Sequence, residues 1–384
     1  VNQDTLALED HPKTPTQDSR ARAIRRRRNL FRTHAAPRAP MGKAPAAWTI
    51  HSGRSLSVPR PLTEIIEWFE TAPDARERFR WALRDSLDEL LDGQRTGRWA
   101  YQQLSKTEKT YLGTAVEVNL TKEFDFADGD DLDWRIAGRD VDCKFSKDLG
   151  GWEIPMEMYR CADHEGRQGK ADHAALLTWL NDDTSRWAAG LITITDDLLR
   201  WRTDKMTGEV GRAYNRDNKR RLADASAASI YWLWGGRQND LPRNLLLHLS
   251  TPARDRIFSF PRSGQARVNQ LFREVQESIV SRQTVLTVAQ QDDAPKRARD
   301  ARLNLRDEGL LVLGHQESHP HVAKALRLPV PVKGEWIATR VVPVEATDSR
   351  PFFSVAEQRW ARAQPDEPVV AAPKLPQRLD AFWT

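Results

Sequence analysis

Asp133, Asp142 and Lys144 stand in the stretch DWRIAGRDVDCKF, where Gly138 marks a tight turn between two short runs. A two-residue loop at Ala137-Gly138 would set Asp133 directly across from Asp142. A loop at Gly138-Arg139, which suits a type II′ turn better, would set Asp133 across from Lys144. Strand side chains alternate, so either register gathers both acids and the lysine on one face. The other face collects Trp134, Ile136, Val141, Cys143 and Phe145, as a sheet packed on a core requires. A three-residue loop with a bulge would weaken this geometry. Asp125, Asp128, Asp130 and Asp131 lie close by, but only Asp133 sits inside the hairpin.

Like charges at cross-strand distance repel unless a cation neutralises them. A hard divalent cation such as Mg²⁺ takes one or two carboxylates and completes its shell with water and phosphate oxygens. Lys144 beside it would orient or deprotonate a water attacking phosphorus. The chemistry so implied is phosphodiester hydrolysis. The plainer reading of the same residues is a cross-strand ion pair contributing about 0.2–1 kcal/mol.

Elements on either side must position the hairpin. Pro73, the apolar residues Phe79, Leu83, Leu87, Leu90 and Leu91, and Gly93 predict a helix over 73–91. A second helix is expected over about 105–123. AALLTWL (174–180) and WAAGLITIT (187–195) read as buried strands. An Arg- and Ala-rich helix is expected to run to about Trp234. GGRQNDLPR (235–243) has a linker's composition. NLLLHLS then reads as a strand, and Val268, Leu271, Phe272, Val275 and Ile279 share one face of an amphipathic helix. From 284 to 342 short helices and strands alternate, ending in GEWIATRVV. After about 350 the Pro- and Ala-rich chain is expected to fray, and residues 1–60 are expected to be a disordered basic tail.

The 384 residues suffice for two domains, with 39% hydrophobic and 29% charged residues. No apolar run is long enough to span a bilayer, and no apolar segment follows the basic N-terminus. Two cysteines exclude a disulfide framework or a four-thiolate zinc site, and point to a reducing cytoplasm. The net charge of +5 favours an anionic partner, although Arg20, Arg22 and Arg25 to Arg28 in the tail supply much of the excess. In DAPKRARDARL, a short helix would carry Lys296, Arg297, Arg299 and Arg302, placed to reach phosphates or guanine edges in a DNA groove.

ELLDGQRTGRW, QLSKTEKTYLGTAVEVNL, IAGRDVDCKFS, RDNKRRL, NLLLH, GQARVNQLF, TVAQQDD and LPVPVKGEWIATRVVP together resemble the NaeI-type restriction endonucleases, in order, from about residue 75 to 370. The resemblance implies a type IIE enzyme: a homodimer cutting double-stranded DNA at a palindrome, GCCGGC in that family. It implies an α/β endonuclease domain of the restriction-endonuclease-like fold, a mixed sheet flanked by helices, over 62–234. A C-terminal domain over 244–372, with a winged or catabolite-activator-like helix-turn-helix, would bind a second, activating DNA copy, followed by a tail at 373–384. The family's acids and lysine match Asp133, Asp142 and Lys144, and its helix glutamate matches Glu117, all serving Mg²⁺-dependent cleavage. A partner methyltransferase would protect the host genome. The chain departs from the family in its long N-terminal tail, near TDKMTGEVGRAY (203–214), and in Leu132, where a proline is usual before the first acid.

Three further motifs carry less. LLDGQR (90–95) resembles the K-x-D-G-x-R of nucleotidyl-transferring ligases, but Leu90 has no amine to form an adduct, so a helix end is expected there. His315, His319 and His321 read as a polar loop rather than a zinc site. GRQGK (166–170) lacks the residues of a phosphate loop. Two rival functions remain: a catalytically silent DNA-binding regulator, and a nicking accessory nuclease in repair.

Overall fold

In the computed structural model, residues 48, 50, 58, 60–161, 169, 171–259, 263–291, 293–316 and 318–376 are described. The expected tail at 1–60 lies almost wholly outside them, as do most of GRQGK and residues 377–384. The chain forms two compact units. Of the described residues, one unit holds those up to Arg254 apart from 92–98; the other holds 92–98 and those from 255 onward. Residues 235–243, linker-like in composition, pack inside the first unit. Gln238 and Leu241 are buried, and Asp240 accepts hydrogen bonds from Arg76 (2.7 Å) and Trp187 Nε1 (3.1 Å).

The first unit is built on helices α1 (Arg60–Thr71), α2 (Ala75–Leu91) and α3 (Lys106–Phe124). The six strands of its main sheet are β1 (Ala127–Asp128), β2 (Trp134–Ile136), β3 (Arg139–Ser146), β4 (Ala174–Asn181), β5 (Arg186–Thr193) and β6 (Tyr231–Trp232), in that order across it. Every joint is antiparallel except β3–β4, which is parallel, so the sheet is mixed. Apolar residues alternate along the central strands. Val141, Cys143, Leu176, Leu180, Trp187, Ala189 and Leu191 pack with the helices, including Phe79, Leu83, Leu112, Val116 and Leu120. Ala175, Leu177, Trp179, Ala188 and Ile192 pack on the other face against Trp152, Ile154, Met158 and Tyr159.

Two local features begin and end elements as chain chemistry demands. Ser105 caps α3 by accepting from the Glu108 backbone, while Glu108 Oε2 accepts from the Ser105 backbone at 2.8 Å, a reciprocal capping box. Helix α2 ends before Asp92, which takes a left-handed conformation (φ 47°). A Cβ at the next residue, Gly93, would stand 2.2 Å from Thr287 Oγ1, so this Asp-Gly serves close packing within the second unit.

The second unit contains α4 (Gly264–Glu274), β7 (Val280–Ser281), α5 (Arg282–Ala289), α6 (Ala294–Asn304), β8 (Leu310–Leu313), α7 (Ser318–Ala325), β9 (Glu335–Val344), β10 (Phe352–Val355) and β11 (Gln358–Arg362). Helices α5 and α6 are joined by a short turn that starts with Gln290 in the left-handed region (φ 52°). Strand β9 pairs antiparallel with β7, β8 and β11, and β10 pairs with β11.

Four expectations are corrected. The Arg- and Ala-rich helix before Trp234 is absent. That stretch forms two-stranded ribbons at Trp201–Thr203 with Val210–Arg212 and at Lys219–Arg221 with Glu153–Pro155, because Gly208 and Asn218 turn the chain at positive φ. NLLLH forms a one-turn helix, Leu245–His248, since Asn244 caps it by accepting from Leu247 N. The amphipathic helix stops at Glu274, and Ile279 leads into β7 instead. The chain beyond 350 does not fray: β10 and β11 pair there, and Ala361 is fully buried.

Candidate active site

The hairpin settles into the first of its two possible registers. Trp134 pairs with Val141 and Ile136 with Arg139, leaving Ala137 and Gly138 as the two-residue turn. Both have positive φ, 50° and 74°, as a type I′ turn requires. Extending this register by one residue places Asp133 opposite Asp142. Asp133 Oδ2 accepts the backbone N–H of Cys143 at 2.8 Å, which fixes its carboxylate beside Asp142.

The turn yields a stability prediction. Alanine occupies a left-handed position that asparagine tolerates better. Ala137→Asn is expected to stabilise the protein by roughly 0.5–1 kcal/mol. A higher urea midpoint at unchanged slope would show it; a lower midpoint would mean the turn is not of this type.

Asp142 is almost fully buried, 6% exposed, and Lys144 Nζ forms an ion pair with its Oδ2. That oxygen makes no hydrogen bond of ordinary geometry. Burial pushes the Asp142 carboxyl up to about 7; Asp133 adds to the rise and Lys144 opposes it. Glu117 follows the buried Val116 on α3 and so lies on the flank of the helix's packed stripe. Its carboxyl is also raised, by burial first and then by Asp133, with Lys144 opposing. Three carboxylates thus share one ammonium, an imbalance that invites a further cation.

Thr121 and Trp134, which the sequence did not single out, tie the two elements together. Trp134 Nε1 donates to Thr121 Oγ1 at 2.7 Å, and that hydroxyl donates to the Glu117 carbonyl at 2.9 Å. The helical turn carrying Glu117 is thereby linked to the strand residue next to Asp133. A threonine one turn after a glutamate gives no signal of this in sequence.

The neighbouring acids go elsewhere. Asp130 ion-pairs with Arg135, while Asp125 closes α3 in the left-handed conformation (φ 53°). Asp128 and Asp131 are exposed, and Asp131 N donates to Asp140 Oδ2 at 2.8 Å. Among the described residues, no group of three or more His, Cys, Asp or Glu side chains closes around a single point as a metal cage. Mg²⁺ characteristically uses one or two carboxylates with water and phosphate oxygens, so the facing Asp133–Asp142 pair fits such an ion.

In the second unit Lys296, Arg297, Arg299 and Arg302 all lie on α6, but not on one surface. Lys296 and Arg299 are exposed. Arg297 is held by Asp293 (2.8 Å) and Gln291 Oε1 (2.8 Å). Arg302 is half-buried and donates to the Val312 carbonyl and Gln316 Oε1, each at 3.1 Å. His319 and His321 lie on α7 rather than in a loop, and His319 Nδ1 accepts the Gly314 N–H at 3.0 Å.

A mixed sheet whose acid-bearing hairpin runs into a parallel strand, packed against helices on one side, is consistent with a restriction endonuclease. The family model described as "Restriction endonuclease NaeI" matches residues 64–371, and over 314 residues the chain is 45% identical to the "Type II restriction enzyme NaeI" of Lentzea aerocolonigenes. That alignment covers 80% of this chain and 91% of the relative. The chain therefore belongs to the NaeI restriction endonuclease family, and it is a type II restriction enzyme. Among the described residues no helix is long and apolar enough to cross a membrane.

Proposed function

We propose that this enzyme is a Mg²⁺-dependent type IIE endonuclease that cuts both strands of DNA at a palindrome, GCCGGC, and is activated by a second DNA copy. The observation that carries the reading is the facing pair Asp133 and Asp142, with Lys144 ion-paired to the buried member. Asp133 and Asp142, assisted by Glu117, are the residues that would hold Mg²⁺, which when bound supplies Lewis acidity toward the phosphate. Lys144 holds the attacking water in line, so that its oxygen bonds to phosphorus as the opposite P–O ester bond breaks. Burial of Asp142 keeps this chemistry in a low-dielectric setting, where each charge acts more strongly. A homodimer presents two such sites, one for each strand of a palindrome.

The second unit supports the activating role. Two helices joined by a short turn, followed by antiparallel strands, have the order of a winged helix-turn-helix, with α6 as the helix that enters a groove. On α6, Lys296 and Arg299 are presented for phosphate or base contact, whereas Arg297 is ion-paired with Asp293 and Arg302 is half-buried. Activation by DNA at this unit is a coupling between two sites and two states. In the cell a methyltransferase of the same specificity would protect the host DNA, and the reduced cysteines Cys143 and Cys161 suit a cytoplasmic enzyme.

Plasmid incubated with the purified protein and Mg²⁺ is expected to become linear, with ends that sequence to one palindrome. Adding a short duplex of that sequence is expected to raise the rate. Nicked product with no response to the duplex would identify an accessory nickase, and no product at all a silent regulator.

A further inference from the structure

The second unit contains a cavity of about 650 Å³, within the size range of small-ligand sites, well away in sequence from the hairpin acids. Arg302, Arg306 and Lys374 line it, with the imidazoles of His315 and His319. None of the described lining residues is acidic, and among the described residues no carboxylate pairs with the three cations. Arg306 donates through Nε to the Ala372 carbonyl at 2.9 Å, and Ala372 N donates back to the Arg306 carbonyl at 2.8 Å, so the segment at 371–376 is fastened as one wall. Ser318 Oγ, bonded to the Pro376 carbonyl at 2.8 Å, secures its far end.

Three cationic side chains, Arg302, Arg306 and Lys374, face this cavity. The His319 imidazole is driven down to about 4, by burial first and then by Arg302 and His315. Cations gathered with no counter-charge among the described residues cost free energy, and an anionic ligand offsets that cost. Gln316 and Ser318 add polar groups to the lining, and Leu310, Leu311, Val312 and Leu375 supply apolar walls. Guanidinium groups that have hydrogen-bonding capacity left over suit the oxygens of a phosphate, and flat apolar walls suit a base.

We propose that this cavity is a binding site for a small phosphorylated ligand of mononucleotide size, its phosphate held by Arg306, Arg302 and Lys374 and its base against the leucine walls. Because Arg302 lies on α6, the helix that presents Lys296 and Arg299, and Arg306 just beyond its end, occupancy of the cavity bears on the helix assigned to DNA contact.

The test is calorimetric titration of the full-length protein, metal-free, with deoxyadenosine 5′-monophosphate and with deoxyadenosine. The nucleotide is expected to bind one per chain with a Kd below about 1 mM, and the nucleoside not to bind. Lys374→Ala, which removes an exposed side chain, and Arg306→Ala are each expected to weaken binding by roughly tenfold. Equal binding of nucleotide and nucleoside, or no saturation, would overturn the proposal. So would weakened duplex binding by Lys374→Ala in a protein that takes up no nucleotide, since the cations would then belong to the DNA-contact surface. These outcomes are independent of cleavage, so they stand apart from any failure of the Mg²⁺ site.

Discussion

Lys144→Ala is expected to cut plasmid about 10²–10³-fold more slowly than the wild type while still binding the duplex, the loss found when one preorganised charge is removed from a transition state. Among the described residues, Lys144 is the ammonium that acts on Asp142 and Glu117. Without it, charge building on the phosphate loses a neighbouring cation, and the attacking water loses the group that orients it. The substitution also leaves the buried Asp142 without its ion-pair partner, so its carboxyl should rise further and bind metal more weakly at neutral pH. Single-turnover cleavage at saturating Mg²⁺ separates the two effects, because excess metal restores occupancy but not water positioning. Duplex binding measured by gel shift with Mg²⁺ withheld shows whether the fold survives. Wild-type cleavage by a folded Lys144→Ala protein would remove the catalytic reading of the hairpin.

That hairpin was the most legible part of the chain, for a physical reason. A glycine turn flanked by strict alternation specifies which residues share a face whatever the register, so Asp142 and Lys144 had to separate from Val141 and Cys143. What alternation left open was the register itself. The structure chose the loop that puts Ala137, not only Gly138, at positive φ, a choice governed by strand twist and packing rather than by local preference. The long helices were legible through their spacing, and α2 and α3 lie where it placed them. The parallel joint between β3 and β4 was not. The β4 strand is a short apolar run and β3 an alternating one, neither of which names its neighbour, and the parallel pairing needs a long crossover connection that carries no periodic signal.

The misread segments fail for a shared reason. Between Leu199 and Tyr231, arginines and alanines favour helix locally, yet the buried residues are isolated ones, Arg220 and Leu222 among them, with no helical stripe to bury. Arg220 illustrates the tertiary override. It is fully buried, donates to the Arg200 and Leu199 carbonyls and to Asp196, and stands over the rings of Tyr159, Trp201 and Tyr214. No scale of helix propensity anticipates an arginine used as a core residue. The division of the chain was hidden in the same way. Gly93 looks like a helix stop, but its lack of a side chain matters because Thr287, nearly two hundred residues later, occupies the space.

Asp142→Asn is expected to abolish cleavage and, in metal-free buffer at pH 8, to make the protein more stable. An amide keeps the shape of the side chain but supplies neither the charge nor the basicity a Mg²⁺ ligand needs. The stability gain follows from the burial of the native carboxylate. Below about pH 4 the group is protonated in the folded and the unfolded chain alike. From there to about 7, the unfolded chain has released its proton while the fold still holds it, so stability falls as pH rises. Above that window Asp142 is ionised in both states, and the full cost of a buried charge is present. Asparagine does not bear this cost, although Lys144 loses its ion pair in exchange, which trims the gain. A net gain of roughly 1–3 kcal/mol at pH 8 is expected, or about 2–12 °C in Tm for a domain of this size. The difference should shrink steadily as pH is lowered toward 4. Mg²⁺ should reverse the order: it binds the ionised wild-type site, raises the wild-type Tm at pH 8 and leaves the variant unchanged. Thermal unfolding of both proteins at pH 8 and pH 5, with and without Mg²⁺, measures all four corners. A variant less stable than wild type at pH 8, or one that responds equally to Mg²⁺, would mean that Asp142 is a structural partner of Lys144 and that the metal sits elsewhere.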